Sequence, residues 1–319
     1  MAKIIMSGPF ERSTFVLFLH ERVMNGVYVT MVRRAAVIND LSGFGRCSLT
    51  AAISVLSAMG VQACPLPTAV LTAQTGFPSY YCDDYTDRIP NFIREWTAMK
   101  VRFDGIYTGF LTGERQVGII SDFLDRFYDG TNCLLVDPIL GDNGRSYDIY
   151  SDSLCDGFRR LAERADVVTP NVTELCFLTG GRFEDLSGKR QETSIRMIGD
   201  MGRSLLNKKG KTVVVTGILC RDPEDGTERI GNMCITEAGS ELIDFSYQHG
   251  SYSGTGDLFA SALTGGILRG DTIPDTIRLA GRFLEKALAD SASDKTPPNE
   301  GVNYERYLGM LMQKQENGE

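Results

Sequence analysis

The segment Gly250-Ser251-Tyr252-Ser253-Gly254-Thr255-Gly256-Asp257 runs directly into the apolar stretch Leu258 to Leu268. Two glycines ahead of a helix let backbone N–H groups turn toward one point, and the helix N-terminus adds partial positive charge there. That geometry cradles an anion. A carboxylate beside a bound phosphate is repelled, so Asp257 has a chemical use there if it takes the proton of a hydroxyl that attacks the phosphate. As a plain helix cap it would instead satisfy free N–H groups. The motif alone leaves both readings open.

Further candidates lie at strand ends. Asp137-Pro138-Ile139-Leu140-Gly141-Asp142-Asn143-Gly144 follows the apolar run Leu134-Leu135-Val136, which puts Asp137 at the carboxyl end of a buried strand, where open α/β sheets bind ligands. Asp142 to Gly144 reads as a mobile turn. Thr169-Pro170-Asn171-Val172-Thr173-Glu174 follows another short strand, with Asn171 as a helix N-cap and Glu174 about one turn into the helix. Asp137 and Glu174 together supply oxygen ligands, directly or through water, of the kind Mg²⁺ prefers when it travels with a nucleotide phosphate. Taken singly, each is an ordinary surface or turn acid.

Other chemistries are excluded on detail. The first βα turn, Asn39-Asp40-Leu41-Ser42-Gly43-Phe44-Gly45-Arg46, has Ser48 at the third glycine position of a dinucleotide fingerprint, and the strand around 61–66 carries no acid for a ribose. There is no GxxxxGK[ST] loop. A Ser-His-Asp hydrolase would depend on His249 without a G-x-S-x-G elbow. With only His20 and His249, and with no two of the eight cysteines closer than fourteen positions, zinc spacing is missing. Lys and Arg number 33 against 41 Asp and Glu, and the net charge of −8 argues against nucleic acid or an acidic membrane as partner. Cys133 and Cys176 among apolar neighbours read as buried thiols in a reducing compartment, so the cytoplasm is the expected location.

The elements that must hold these residues alternate. Strands are predicted at Ala35 to Asn39, Val61 to Pro65, Gly105 to Thr108, Asn132 to Asp137, Asp166 to Thr169 and Thr212 to Gly217. Helices are predicted at Ser48 to Met59, closed by Gly60, and near 89–100, 114–128, 151–163 and 191–208. This is the pattern of βαβ units and a mostly parallel sheet. Ile218 to Arg221, Ile230 to Thr236 and Glu241 to Ser246 read as an antiparallel edge, followed by helices at 257–269, 272–292 and Tyr304 to Gln313. No apolar run is long enough to span a membrane. Residues 1–30 read as an N-terminal extension ahead of a single domain over 31–319, since Met31 closely precedes the first convincing strand.

Taken together, the turn Asn39 to Gly45, Pro65-Leu66-Pro67-Thr68, Tyr107-Thr108-Gly109-Phe110-Leu111, Asp137 to Asp142, Thr169-Pro170-Asn171 with Glu174, and Gly254-Thr255-Gly256-Asp257 resemble the ribokinase-like superfamily, and within it the vitamin B6 kinases. The resemblance implies an α/β three-layer sandwich, with a mostly parallel central sheet, helices on both faces and an antiparallel edge. It implies phosphorylation of the 5′-hydroxymethyl group of pyridoxal, pyridoxine or pyridoxamine, ATP and Mg²⁺ as cosubstrates, a monovalent cation as a further candidate, and a homodimer. By matching motif positions, Asp257 is the catalytic base and Gly254, Thr255 and Gly256 form the anion hole. Asp137 and Glu174 serve the metal, Asn171, Thr216 and Asp142 face ATP, with Asp142 to Tyr147 as a flap, and Asp40, Thr68 and Phe110 line the ring pocket. Familiar B6 kinases carry serine where Asp40 stands and tyrosine where Phe110 stands. Asp40-Leu41-Ser42-Gly43 and Leu71-Thr72-Ala73-Gln74-Thr75 also resemble the hydroxymethylpyrimidine (phosphate) kinases of thiamin synthesis, the alternative substrate class. The alternative of another kind is a non-catalytic B6- or nucleotide-binding module.

Overall fold

The computed structural model describes residues 21–24, 27–30, 32–186, 188–207, 210–247 and 250–312. Both histidines and residues 1–20 of the expected extension lie outside these described residues. Strands β1 (Glu21–Met24) and β2 (Val27–Thr30) pair antiparallel in a two-stranded sheet of their own.

The core begins with β3 (Arg34–Ser42), followed by α1 (Ser48–Ala58), β4 (Gln62–Leu71), β5 (Cys82–Asp84), α2 (Ile89–Ala98), β6 (Gly105–Thr108), α3 (Glu114–Phe127) and β7 (Cys133–Val136). A small hairpin of β8 (Gly141–Asp142) and β9 (Arg145–Ser146) precedes α4 (Asp152–Arg164), β10 (Val167–Val168), α5 (Val172–Thr179) and α6 (Gln191–Ser204). The antiparallel strands β11 (Thr212–Arg221), β12 (Glu228–Thr236) and β13 (Gly239–Ser246) lead into α7 (Thr255–Arg269) and α8 (Ile273–Ser293). The nine-stranded sheet runs β13-β12-β11-β10-β7-β6-β3-β4-β5, parallel from β11 to β4 and antiparallel at both ends.

Central strands buried on both faces need apolar residues at successive positions, and β3 supplies them. Ala35 and Val37 pack with α1, α7 and α8 on one face, and Ala36 and Ile38 pack with α3 and α4 on the other, all four fully buried. Val213 and Val215 of β11 lie under α5 and α6. The result is the expected three-layer α/β sandwich of the ribokinase-like kind.

Four local expectations are corrected. Ile218 to Arg221 is no separate strand but the continuation of β11 beyond a register shift between Val215 and Ile218, where Gly217 takes a φ of 71°. A bulge of this sort bends a strand without ending it. Strand β4 runs on from Pro65 to Leu71 because Pro67 lies at an interruption in its ladder with β3. β5 had no apolar alternation to announce it, since all three of its residues are exposed on the sheet edge. The last expected helix is a run of 3-10 turns over Glu305–Met312. No helix among the described residues is long and apolar enough to cross a membrane, and all eight cysteines are free.

Candidate active site

The carboxyl ends of β3 and β6 lie at the start of α7, where Asn39 joins the Phe110 backbone to Asp257. Gly254 is the N-cap of that helix, with φ at 80° and no side-chain cap. An uncapped start leaves first-turn N–H groups available to an anion. A side chain at Gly254 would run into the carbonyl of Arg46, so this glycine also allows the anion loop and the turn before α1 to touch. The Thr255 hydroxyl donates to the Tyr252 carbonyl at 2.8 Å, which fixes the loop from within.

Asp257 is the third residue of α7, so it is not the N-cap that its sequence position allowed. Its Oδ1 instead accepts from Asn39 Nδ2 at 2.9 Å, across 218 residues of chain. Burial pushes its carboxyl up to about 6, against the Ser48 N–H and Asn39 amide that favour the charged form, and the nearby Asp40 adds to the rise. The residue as a whole is partly buried. A carboxylate held this way is a competent proton acceptor near neutral pH.

Asn39 is fully buried, and its Oδ1 accepts from the backbone N–H of Phe110 at 2.9 Å and of Asp40 at 3.0 Å. Gly109 makes room for it: a Cβ there would lie 2.6 Å from Asn39 Nδ2. Three expected site residues, Asp40, Phe110 and Asp257, are thus gathered by one amide that the sequence offered only as part of a turn. Asp40 Oδ2 accepts from Ser42 Oγ at 2.8 Å, and burial raises its carboxyl above the usual range. Thr68 is fully buried on β4, and among the described residues its hydroxyl has no hydrogen-bond partner. No described hydrogen bond links it to Asp40 or Phe110. Tyr107 was also not anticipated. It is fully buried beside Asp257, which together with burial holds its phenol in the protonated form.

The second half of the site is built on α5. Asn171 caps this helix as expected, in a reciprocal box with Glu174: Glu174 N donates to Asn171 Oδ1, and Asn171 N donates to Glu174 Oε2, both at 2.9 Å. Glu174 Oε1 accepts from Leu140 N at 3.2 Å, so both of its oxygens already serve backbone donors. Asp137 Oδ1 accepts from Thr169 Oγ1 at 2.7 Å, while its Oδ2 is buried with no partner among the described residues. Burial raises both carboxyls, with the charge of Asp257 adding to the rise of Asp137 and those of Asp137 and Asp142 to the rise of Glu174. Asn171 Nδ2 holds the β8–β9 hairpin through the Gly141 carbonyl at 2.8 Å, and Gly144 N donates to Thr173 Oγ1 at 2.8 Å.

Beside this hairpin lies a cavity of about 530 Å³, lined among others by Asp142, Asn171, Phe183, Lys189, Gly217 and Arg221. Thr216 stands at its edge next to Gly217, bridged to Asn171, with its N–H on the Pro170 carbonyl at 2.9 Å. Phe183, Lys189 and Arg221 belong to no motif, and only the fold brings them here. The arrangement offers a cavity of about 530 Å³, a buried pair of carboxyls, an uncapped helix start and a partly buried carboxyl near it.

Residues 45–302 match the phosphomethylpyrimidine kinase family. The pyridoxine/pyridoxal/pyridoxamine kinase of Bordetella bronchiseptica is 24% identical over 256 residues, covering 77% of this chain and 84% of that one. Among solved structures, a Bacteroides thetaiotaomicron protein, described as a candidate phosphomethylpyrimidine kinase and crystallised in one form with pyridoxal, is 33% identical with a TM-score of 0.80 over 90% of this chain and 98% of that one. The pyridoxal kinase of Lactobacillus plantarum is 27% identical, with a TM-score of 0.76 over 88% of this chain and 97% of that one.

Proposed function

This chain belongs to the phosphomethylpyrimidine kinase family and is an ATP-dependent small-molecule kinase, and from that premise we propose that it phosphorylates the 5′-hydroxymethyl group of pyridoxal, pyridoxine or pyridoxamine. The observation that carries this reading is the Asp257 carboxylate, partly buried at the uncapped start of α7 and joined through Asn39 to the backbone at Asp40 and Phe110. Asp257 takes the proton of the substrate hydroxyl. The hydroxyl oxygen then forms its bond to the γ-phosphorus as the bond to the β-phosphate oxygen breaks and ADP leaves. The N–H groups from Gly254 to Gly256 receive negative charge on the transferring group, where preorganised donors act most strongly. In the same reading Asn171 and Asp142, which line the cavity, and Thr216, next to its lining residue Gly217, border the nucleotide.

The residues present fit Mg²⁺. Asp137 Oδ2 is a buried carboxylate oxygen without a donor among the described residues, which is the hard ligand this ion prefers. Such an ion supplies charge neutralisation at the phosphates. Asp137 would hold it directly, and Glu174, whose oxygens are engaged, through water. A homodimer, a cytoplasmic location and a monovalent-cation requirement belong to the same proposal.

The pyrimidine alternative has the family description on its side, but Gln74, its marker in the sequence, is occupied within the protein. Its Nε2 donates to Ser253 Oγ at 3.1 Å and to the Asn299 carbonyl at 3.0 Å, and its Oε1 accepts from Gly76 N at 2.6 Å. ADP release measured with ATP and each of the three B6 vitamers and hydroxymethylpyrimidine tests the assignment. A B6 vitamer is expected to give the highest kcat/KM. A tenfold advantage for the pyrimidine, about 1.4 kcal/mol in transition-state preference, would overturn it.

A further inference from the structure

We propose that Asn39 is a positioning residue for the phosphoryl transfer, its amide aiming the Asp257 carboxylate into the cleft and locking it to the strand end that carries Asp40 and Phe110. The inference rests on Asp257 acting as the base. The amide orientation is set by its partners: Oδ1 receives two backbone N–H groups, from Asp40 and Phe110, so Nδ2 is the end that meets Asp257. The side chain is fully buried and packs so closely on Gly109 that a Cβ there would lie 2.6 Å from its Nδ2. A donor fixed in this way favours the ionised carboxylate and takes up Oδ1, which leaves the other oxygen for the substrate proton. Among the other groups around Asp257, Asp40 and Asp137 carry its own sign of charge and Cys47 is buried and protonated. The Tyr107 phenol favours the charged carboxylate but does not meet it at hydrogen-bond geometry. The Ser48 N–H is a second donor, and the Ser48 side chain also faces Asp40, but Asn39 is the residue that ties Asp257 to the backbone N–H groups of both Asp40 and Phe110. Through Asn39, the residues that hold the substrate ring and the group that takes its proton move as one body. Misplacement by an ångström is enough to cost on the order of 10²-fold in rate.

The test is a double-mutant cycle of Asn39 with Asp257, read as kcat and KM on the full-length protein with whichever alcohol the native enzyme prefers. Asn39→Asp keeps the one oxygen that accepts both the Asp40 and Phe110 N–H groups, so it spares the local fold, and it replaces the donor by a second carboxyl oxygen facing Asp257. Asn39→Ala removes both functions and is followed by Tm. Alone, Asn39→Asp is expected to lower kcat on the order of 10²-fold with the KM for ATP little changed. Added to Asp257→Asn, it should cost under about threefold more, because the group it acts through is gone. The proposal is overturned if Asn39→Asp leaves kcat near native, or if its loss repeats in full on the Asp257→Asn background. Failure of the base assignment shows separately, as near-native kcat in Asp257→Asn alone.

Discussion

The carbonyl oxygen of Arg46 occupies the space into which a side chain on Gly254 would project. The anion loop and the first βα turn are therefore in direct backbone contact, and Gly254 also sits at a φ of 80° that other residues adopt at a cost of about 1–2 kcal/mol. Gly254→Ala should lower Tm by several degrees and cut kcat on the order of 10²-fold, because the N–H groups of the loop are displaced from the phosphate. Calorimetry and steady-state turnover check it. A lowered Tm with native kcat would mean that Gly254 shapes the fold and not the anion site.

Asp137→Asn separates metal binding from folding. The amide oxygen can keep the Thr169 hydroxyl, while the Oδ2 that lacks a donor becomes an NH₂ group. The Mg²⁺ concentration for half-maximal rate should rise by about tenfold or more. Vitamer binding measured without metal should stay near native. Glu174→Gln is a poorer probe, since its new NH₂ would face the N–H of Asn171 or Leu140. Unaltered Mg²⁺ dependence of Asp137→Asn would remove Asp137 from the metal site.

The raised Asp257 carboxyl carries two pH signatures. Turnover should fall as the pH drops below about 6, where the base becomes protonated. For stability the sign runs the other way: a carboxyl raised in the folded state favours folding below its unfolded value, and that contribution is lost as pH rises through about 6. Asp257→Asn should accordingly melt above the native protein at pH 8, with the difference closing near pH 4. Thermal scans across that range decide the matter, and a variant less stable than native at pH 8 would contradict the burial argument.

A chain starting at Met31 should melt within a few degrees of the full-length protein and keep its turnover. β3, the first strand of the nine-stranded sheet in chain order, begins at Arg34, while β1 and β2 pair with each other in a separate two-stranded sheet among the described residues. A large loss of stability would show that residues 1–30 support the core.

Residues whose partners are near in sequence were the legible part of this site. The Asn171–Glu174 box spans three residues, the glycines of the anion loop adjoin their helix, and Asp137 ends a strand that hydrophobic runs announce. Asn39 reads as a turn residue because its partner Asp257 is 218 positions away, and only the parallel order of β3 and β6 brings Phe110 to it. Phe183, Lys189 and Arg221 meet at one cavity for the same reason. In the fold, the βα alternation was readable throughout. Edge strand β5 was not, because all three of its residues are exposed, and the bulge in β11 reads as a strand end because Gly217 interrupts its apolar run.

Asp257→Asn bears most directly on the chemistry. The variant keeps the size of the side chain and can still face Asn39, and no helix cap is lost because Gly254 holds that position. If Asp257 removes the proton of the attacking hydroxyl, kcat should fall by roughly 10²–10⁴. ATP affinity should hold or rise, since a negative charge next to the γ-phosphate is gone. Turnover, ATP binding and Tm are measured together on this one protein: a loss of kcat with intact folding and nucleotide binding is the predicted result, and near-native kcat contradicts the catalytic assignment.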